Sequence, residues 1–152
     1  MDIRQEHTVL IDRPIEEVFA FVTDPDNDPL WHASTLEAQQ TSEGAVGLGA
    51  TYRVVLKFLG RQIETTYEIT EYEPPSKHCV RITSGPIPAV GCLLLEPTDD
   101  GSTRFTQTLD RGELGFFFRL AEPLVRRAIN RQSEADLATL KDLLESSETD
   151  GG

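Results

Sequence analysis

The order of hydrophobic patterns along the chain is the feature that most constrains its fold. An alternating segment over 3–11 leads directly into an amphipathic helical pattern, a long stretch of strand-like alternation follows, and a helical pattern occupies the last quarter. Strands that follow one another through short turns pair antiparallel, and one face of such a sheet must be covered. Only the C-terminal segment is long and amphipathic enough to cover it. The sequence therefore predicts an α+β domain in which one antiparallel sheet curves around a long C-terminal helix.

Two short helical elements are predicted after the first strand. Asp12 is a predicted N-cap, Pro14 suits the first helical turn, and the Asp-Pro pair at 24–25 ends the helix. A second short helix or turn over 26–32 then presents Trp31. The chain therefore forms two short helical elements before it enters the main part of its sheet.

Six further strands are predicted, at 34–41, 51–59, 61–73, 78–84, 89–96 and 103–111. Gly60 marks a tight hairpin turn between two of them. Alternation places one set of side chains on the inward face of the sheet, namely Tyr52, Val54, Leu56, Phe58, Ile63, Thr65, Tyr67, Ile69, Phe105, Gln107 and Leu109. We expect any cavity to lie on this face.

The C-terminal helix is predicted over 117–146, with a kink or a false start at Pro123. One apolar stripe runs along it, formed by Val125, Ile129, Leu137, Leu140 and Leu144. The pattern predicts a single domain over 1–146, followed by a disordered tail over 147–152.

The charge balance excludes some classes of partner. The chain carries 26 acidic and 14 basic residues, a formal net charge of -12. A negative field repels phosphate groups, so nucleic acids and anionic membrane surfaces are not expected to bind. No apolar run approaches the ~18 residues of a transmembrane helix, and the first residues lack a signal-peptide pattern. We therefore predict a cytoplasmic protein with no integral membrane association.

The two cysteines and three histidines give no metal motif. Cys79 and Cys92 fall on neighbouring predicted strands. A turn near 85–88 would place Cys79 opposite a residue near position 95, so no disulfide is expected and both thiols are predicted to be reduced. No metal and no cofactor is predicted.

Two further stretches resemble ligand-binding loops, but the residues around them do not fit those loops. The glycine-rich stretch at 44–49 precedes a strand, whereas a phosphate loop must lead into a helix. The acidic run that begins at Asp24 resembles a calcium loop, but its sixth position is Pro29 and its twelfth is Thr35 instead of Gly and Glu. Both stretches are interpreted as turns.

No catalytic signature is present in the sequence. There is no G-x-S-x-G motif, and nearly every Asp or Glu falls on an outward phase or in a turn. His32, beside the pocket rim, and Tyr67, on the inward face, are the first acid–base candidates, and Tyr52 and Gln107 join them if the chain is an enzyme. The catalytic residues, if the chain has any, stay unassigned at this point.

Several segments resemble one known group of proteins. They are DRPIEEVFAFVTDP followed by LWH, then VGLGATYRV, YEITEYEPPSK, LEPTDDGSTRFTQTL and ADLATLKDLLE. Over residues 3–145 the chain resembles the polyketide cyclase/dehydrase group of the START-like (SRPBCC, birch-pollen-allergen-like) superfamily. The resemblance implies a helix-grip fold: a seven-stranded antiparallel sheet curved around a long C-terminal helix, with two short helices after the first strand. It also implies a cavity between sheet and helix for hydrophobic or amphipathic ligands. Only some members are enzymes.

Three functions follow as alternatives. The first is binding of a small hydrophobic or amphipathic ligand, lipid or polyketide-like, in the cavity. The second is a cyclase or dehydratase that uses the same cavity, and the third is a protein-interaction module whose cavity is filled by side chains. The sequence also leaves open whether the protein forms a homodimer. The predicted ligand-binding residues are Trp31, Tyr52, Val54, Leu56, Phe58, Thr65, Tyr67, Phe105, Gln107, Phe117, Leu120 and Leu124.

Overall fold

The computed structural model describes residues 3–58, 60–85, 88–111 and 120–150 of the chain. A 3₁₀ turn at Pro25–Asn27 precedes the second helix. The strands and α-helices of these ranges follow in the order β1 (Ile3–Ile11), α1 (Ile15–Val22), α2 (Asp28–Trp31), β2 (Thr35–Gln40), β3 (Thr51–Phe58), β4 (Arg61–Glu73), β5 (Lys77–Ser84), β6 (Ala89–Pro97), β7 (Thr103–Arg111) and α3 (Glu122–Asp150).

The seven strands form one antiparallel sheet in the order β1-β7-β6-β5-β4-β3-β2. The sheet curves around α3. Register shifts interrupt its ladders beside Glu37, Tyr67 and Glu71, and such bulges bend a strand and increase its twist. Gly60 has a φ of +79° in the β3–β4 turn, a conformation that glycine adopts without steric cost. The predicted helix-grip architecture is confirmed.

The main core lies where α1, α2 and the C-terminal half of α3 meet β1, β6 and β7. Its buried members are Ile11, Val18, Phe19, Val22, Trp31, Leu95, Phe105, Leu137, Leu140 and Leu144. Each large apolar side chain buried here stabilises the fold by roughly 1.5–3 kcal/mol. None of the helices in the described ranges combines the length and the apolar character needed to cross a bilayer.

Polar contacts hold α3 against β1 at both ends of the core. Lys141 Nζ donates a hydrogen bond to the Leu10 carbonyl at 2.6 Å. Nearer the start of α3, His7 Nε2 lies 3.0 Å from Asn130 Oδ1. The two contacts position α3 along β1.

The starts of two helices differ from the sequence prediction. Asp12 is not an N-cap, because α1 begins at Ile15 with Pro14 in the N-cap position. The Asp12 N–H donates instead to Glu145 Oε2 at 2.8 Å and connects this junction to α3. Pro123 lies in the first turn of α3, where proline removes no helical hydrogen bond, so it does not interrupt the helix.

Two further expectations concern the ends of α3. The predicted start at 117 lies outside the described residues. The structure describes the helix through Asp150, and the disordered tail over 147–152 stays a prediction. No proline or glycine precedes Gly151 in this stretch, so the backbone meets no helix breaker there.

The register of the β5–β6 hairpin also corrects the prediction. Cys79 lies directly opposite Cys92 and not opposite a residue near 95. The two sulfurs form a disulfide, so the prediction of two reduced thiols is wrong for this structure. Hairpin register depends on the geometry of the turn, and the sequence GPIP does not reveal where that turn is centred.

Candidate functional site

A cavity of about 230 Å³ lies between the concave face of the sheet, α2 and α3. Every layer of the fold contributes to its wall, which mixes apolar and polar groups. Its described lining residues are Gln5, His7, Val22, Asp28, Trp31, His32, Thr35, Val54, Tyr67, His78, Val80, Gly91, Cys92, Leu93, Gln107, Thr108, Leu109 and Ser133.

Aromatic rings form one rigid side of the cavity. Trp31 is 1% exposed and meets Phe105 edge-on, with 6.0 Å between ring centroids. Tyr67 lines the cavity and stacks on Tyr52 at 5.1 Å. Burial raises the pKa of Tyr52 to about 12 and also raises the pKa of Tyr67. Both phenols therefore keep their protons at neutral pH, and Tyr67 can donate a hydrogen bond into the cavity.

All three histidines of the chain line this one cavity. His7 contacts Asn130 on α3, and His32 ends α2. Burial lowers the pKa of His78 from 6.5 to about 4, so its imidazole is neutral at pH 7. Neutral imidazoles can both donate and accept hydrogen bonds. The cavity thus concentrates groups that can bind or transfer protons.

His32 is held by a buried carboxylate on α3. Asp136 is 5% exposed, and its Oδ2 lies 3.3 Å from His32 Nδ1. Its Oδ1 accepts hydrogen bonds from the Ala33 N–H at 3.1 Å and from Gln132 Nε2 at 2.8 Å. The carboxylate therefore favours the His32 tautomer with hydrogen on Nδ1, which leaves Nε2 with a free lone pair.

A second carboxyl group lies one helical turn before His32. Asp28 is the first residue of α2, and its carbonyl accepts the His32 N–H at 2.9 Å. Burial raises the pKa of the Asp28 carboxyl from 3.8 to about 6, while the charge of His32 lowers it and that of Asp24 raises it further. This carboxyl can therefore exchange a proton near neutral pH.

Some buried polar atoms of the wall have no hydrogen-bond partner among the described residues. They include Gln5 Oε1, Gln107 Oε1 and Trp31 Nε1. An unpaired buried acceptor costs roughly 1–3 kcal/mol, and native proteins usually supply a partner, a water or a ligand. The two glutamine oxygens are the acceptors in this wall that a hydrogen-bond donor on a small molecule could pair with.

Five of the residues singled out from the sequence line the cavity. Trp31, Val54, Tyr67 and Gln107 do so among the predicted ligand-binding residues, and His32 does so as a catalytic candidate. Their roles in binding or catalysis stay predictions. The structure brings residues from α2, β3, β4 and β7 together around one space.

The other predicted ligand-binding residues lie elsewhere or outside the described part. Tyr52, Thr65 and Phe105 are buried behind the wall, and Leu56 is not among the lining residues. Leu120 and Leu124 are 95% and 68% exposed, because the face of α3 that enters the core begins with Val125. The side chain of Phe58 and the whole of Phe117 lie outside the described residues.

Sequence reasoning missed the two inward carboxylates and His78. Asp136 lies on the apolar stripe of α3, seven residues after Ile129. An acidic residue on an apolar helix face indicates a buried carboxyl group, so the sequence pattern could have identified it. Asp28 stands four residues before His32, the spacing that puts two side chains on one helical face. The expectation that nearly all acidic residues point outward is wrong for Asp28 and Asp136.

One group in the described part of the chain has the proximity needed to hold a metal ion. It consists of Glu71, Cys79 and Cys92, whose ligand atoms lie within 4.8 Å of one another. The two sulfurs are joined to each other. A disulfide offers no thiolate, so this group does not form a metal site in the oxidised protein.

Comparison with solved structures places this fold among known proteins. The chain matches the Zhui aromatase/cyclase from a Streptomyces species with a TM-score of 0.81 and 18% identity, covering 95% of this chain and 94% of that one. It matches a START superfamily protein from Mycobacterium smegmatis with a TM-score of 0.79 and 15% identity, over 94% and 97% of the two chains. A conserved protein from Geobacillus kaustophilus gives 0.71 and 16%, over 95% and 97%. At these identities the likeness shows the fold alone.

A family model gives the assignment that the structural likeness leaves open. No curated protein sequence matches the chain. The model described as "Polyketide cyclase / dehydrase and lipid transport" matches residues 2–145, which is nearly the whole chain. The cavity described above thus lies within the matched region. The chain belongs to the polyketide cyclase/dehydrase and lipid transport family.

Proposed function

We propose that the protein binds a small amphipathic molecule with a flat ring in the cavity between sheet and α3. The unpaired acceptors Gln5 Oε1 and Gln107 Oε1 carry this proposal, because both are buried in the cavity wall. A ring would pack against Trp31 or Tyr67 in the wall, and a hydroxyl or amine on it would donate to a glutamine. Mostly apolar walls with a few placed polar groups are typical of small-molecule sites.

The cavity volume limits the size of this ligand. Pockets for drug-sized ligands usually measure ~300–1,000 Å³. The volume favours a molecule of one or two rings over a long chain, and it argues against an interaction module with a filled interior.

The charge of the chain supports one expectation about its partners. The net charge of -12 disfavours nucleic acids. A cytoplasmic location stays a proposal that the disulfide does not support, because disulfides are rare in cytosolic proteins. A measurement of the mass in solution decides between a monomer and a homodimer.

Gly91 offers a direct test of binding. A Cβ at this wall position would meet Thr108 O at 3.7 Å and Val80 Cγ2 at 3.8 Å, which are ordinary contacts, so Gly91→Val should fold while its side chain fills part of the cavity. We expect wild-type protein to bind 2-naphthol saturably, and Gly91→Val to weaken the binding at least tenfold. Gln107→Leu should weaken it by about 1 kcal/mol, the value of one hydrogen bond. Fluorescence titration measures both.

The matched control is Gly47→Val, because no atom lies within 4 Å of a Cβ placed there and Gly47 does not line the cavity. Its affinity for 2-naphthol should equal that of the wild type. Absence of saturable binding, or equal affinity in Gly91→Val, would contradict the proposal. Native mass spectrometry of freshly purified protein gives an independent view, since a bound cellular ligand would add its mass.

A cyclase or dehydratase acting on a polyketide-like substrate is the second candidate. The observation that favours it is the presence of His32 and Asp28 on one face of α2 toward the cavity. Such enzymes would need groups that donate and accept protons beside a bound carbonyl chain. Tyr67 lies in the same wall and can donate a hydrogen bond to a carbonyl oxygen.

A further inference from the structure

We propose that His32, Asp28 and Asp136 form a proton-transfer centre that interconverts the keto and enol forms of a small cyclic ketone held in the cavity. The proposal rests on the binding function proposed above and adds a reaction class and a substrate class to it. His32 and Asp28 act directly on the substrate. Asp136 acts through His32 and is a positioning residue.

The environment of His32 suits it to the role of a base. Its Nδ1 faces Asp136, a carboxylate that is 5% exposed and fixed by the Ala33 N–H and Gln132. The ring packs against Trp31 with 3.6 Å between centroids, which restricts its rotation. Nε2 is therefore the nitrogen that remains for a molecule in the cavity. A histidine oriented by a buried carboxylate is an arrangement that recurs in acid–base catalysis.

Asp28 provides the second group on the same helical face. It stands four residues before His32, and both residues line the cavity. No side-chain hydrogen bond to its carboxyl group is found within the described part of the chain, so the group is available to a ligand. Burial raises the pKa of this carboxyl to about 6, which keeps part of it protonated near neutral pH. It can thus act as the acid while His32 acts as the base.

The reaction step balances without any co-reactant. His32 Nε2 accepts the proton from the carbon next to the carbonyl group, and the C–H electron pair becomes the new C=C bond. The carbonyl π electrons move to oxygen, which accepts the proton of the Asp28 carboxyl. The products are the enol, an imidazolium and a carboxylate. Reversal returns both protons, and exchange of the imidazolium proton with solvent replaces the hydrogen at carbon.

The cavity selects the substrate class by size and surface. Its volume of about 230 Å³ lies below the usual range for drug-sized ligands and favours a compact ring system over an extended chain. Trp31 and Tyr67 provide flat apolar surface, and Gln107 Oε1 provides an acceptor for a hydroxyl group of the substrate. A cyclic ketone with an aromatic ring and a C–H bond next to the carbonyl group meets these conditions.

Hydrogen–deuterium exchange at carbon tests this reaction directly. In D₂O, the wild type should speed loss of the C1 proton signal of 2-tetralone in the ¹H NMR spectrum by at least ~100-fold, the range for general acid–base catalysis. His32→Gln and Asp28→Asn should each abolish most of that gain. Asp136→Asn should lower kcat by at least tenfold and leave KM within twofold, because it alters the orientation of His32 and not the pocket wall.

Two exposed aspartates provide matched controls. Asp142→Asn changes the solvent face of α3, and Asp26→Asn changes the 3₁₀ turn before α2, and neither residue lines the cavity. Both should keep the wild-type exchange rate. Circular dichroism and thermal unfolding of all variants show whether a loss of exchange reflects loss of fold.

The outcomes separate this inference from the proposed binding function. If 2-tetralone binds and Gly91→Val weakens that binding, but the wild type does not speed exchange, the proton-transfer centre is refuted and the binding function stands. If neither 2-tetralone nor 2-naphthol binds saturably, both proposals fail. Exchange that persists fully in a folded His32→Gln variant, or a change of KM alone in Asp136→Asn, would also overturn the assignment.

Discussion

At the scale of single residues, the cavity contains two titratable groups whose pKa values are shifted in opposite directions from their ordinary values. Burial raises the pKa of Asp28 to about 6 and lowers that of His78 to about 4. Both shifts favour the uncharged form, because the cavity wall solvates ions poorly. The charged form of Asp28 therefore destabilises the fold at neutral pH. A buried titratable group that destabilises the fold in this way is a functional-site candidate.

Replacing Asp28 by Asn should stabilise the protein at neutral pH. The folded-state pKa of about 6 exceeds the ordinary 3.8, so the folded protein binds the proton more tightly and loses stability as pH rises between these values. We expect Asp28→Asn to raise the free energy of unfolding by about 1–3 kcal/mol at pH 7.5, with screening by nearby solvent favouring the lower end. The gain should vanish below pH 4. Urea denaturation at both pH values measures it.

Asp26→Asn is the control for this prediction, since Asp26 is exposed two residues away. It should leave stability unchanged within about 0.5 kcal/mol, the usual range for surface substitutions. A loss of stability in Asp28→Asn at pH 7.5 would show that the ionised carboxylate has a favourable partner in the folded protein.

At the scale of elements, the β5–β6 hairpin joins two central strands by both hydrogen bonds and a disulfide. Cys79 is fully buried and Cys92 is half-buried, and they are separated by 13 positions in the sequence. Strand alternation correctly placed the two cysteines on neighbouring strands. It did not give their register, because a hairpin's register follows from its turn.

Reduction of this bond should weaken the protein measurably. A closed loop of this length stabilises a fold by about 2–3 kcal/mol in the chain-entropy account. We expect a reductant to lower the free energy of unfolding by that amount in urea denaturation. The Cys79→Ala/Cys92→Ala double variant should be insensitive to the reductant. Two thiols that react in the unfolded, unreduced protein would show that the bond does not form.

At the scale of the whole molecule, the described part of the chain encloses a cavity between the sheet and the first half of α3. The C-terminal half of α3 contributes Leu137, Leu140 and Leu144 to the main core. In the first half of α3, Ser133 lines the cavity, and Asn130 and Asp136 contact the lining residues His7 and His32. The apolar packing of the C-terminal half therefore lies beside a cavity with both apolar and polar groups.

This division predicts a size limit for substrates. The cavity of about 230 Å³ is smaller than the usual range for drug-sized ligands. We expect 2-tetralone to be bound and a linear poly-β-ketone thioester to be neither bound nor cyclised, as measured by calorimetry and by mass spectrometry of the products. Cyclised product at a rate above the protein-free control would favour the cyclase candidate over the small-ring ligand.

The sequence by itself determined the order of elements, the inward faces of the strands and the family to which the chain belongs. Alternation and helical periodicity are local properties, and residues such as Trp31, Val54, Tyr67 and Gln107 could be placed from them. Only the tertiary structure decided that Asp136 meets His32, across a sequence separation of 104 residues. Contacts at that distance depend on how helix and sheet pack, and burial, which sets the pKa of Asp28, exists only after they have packed.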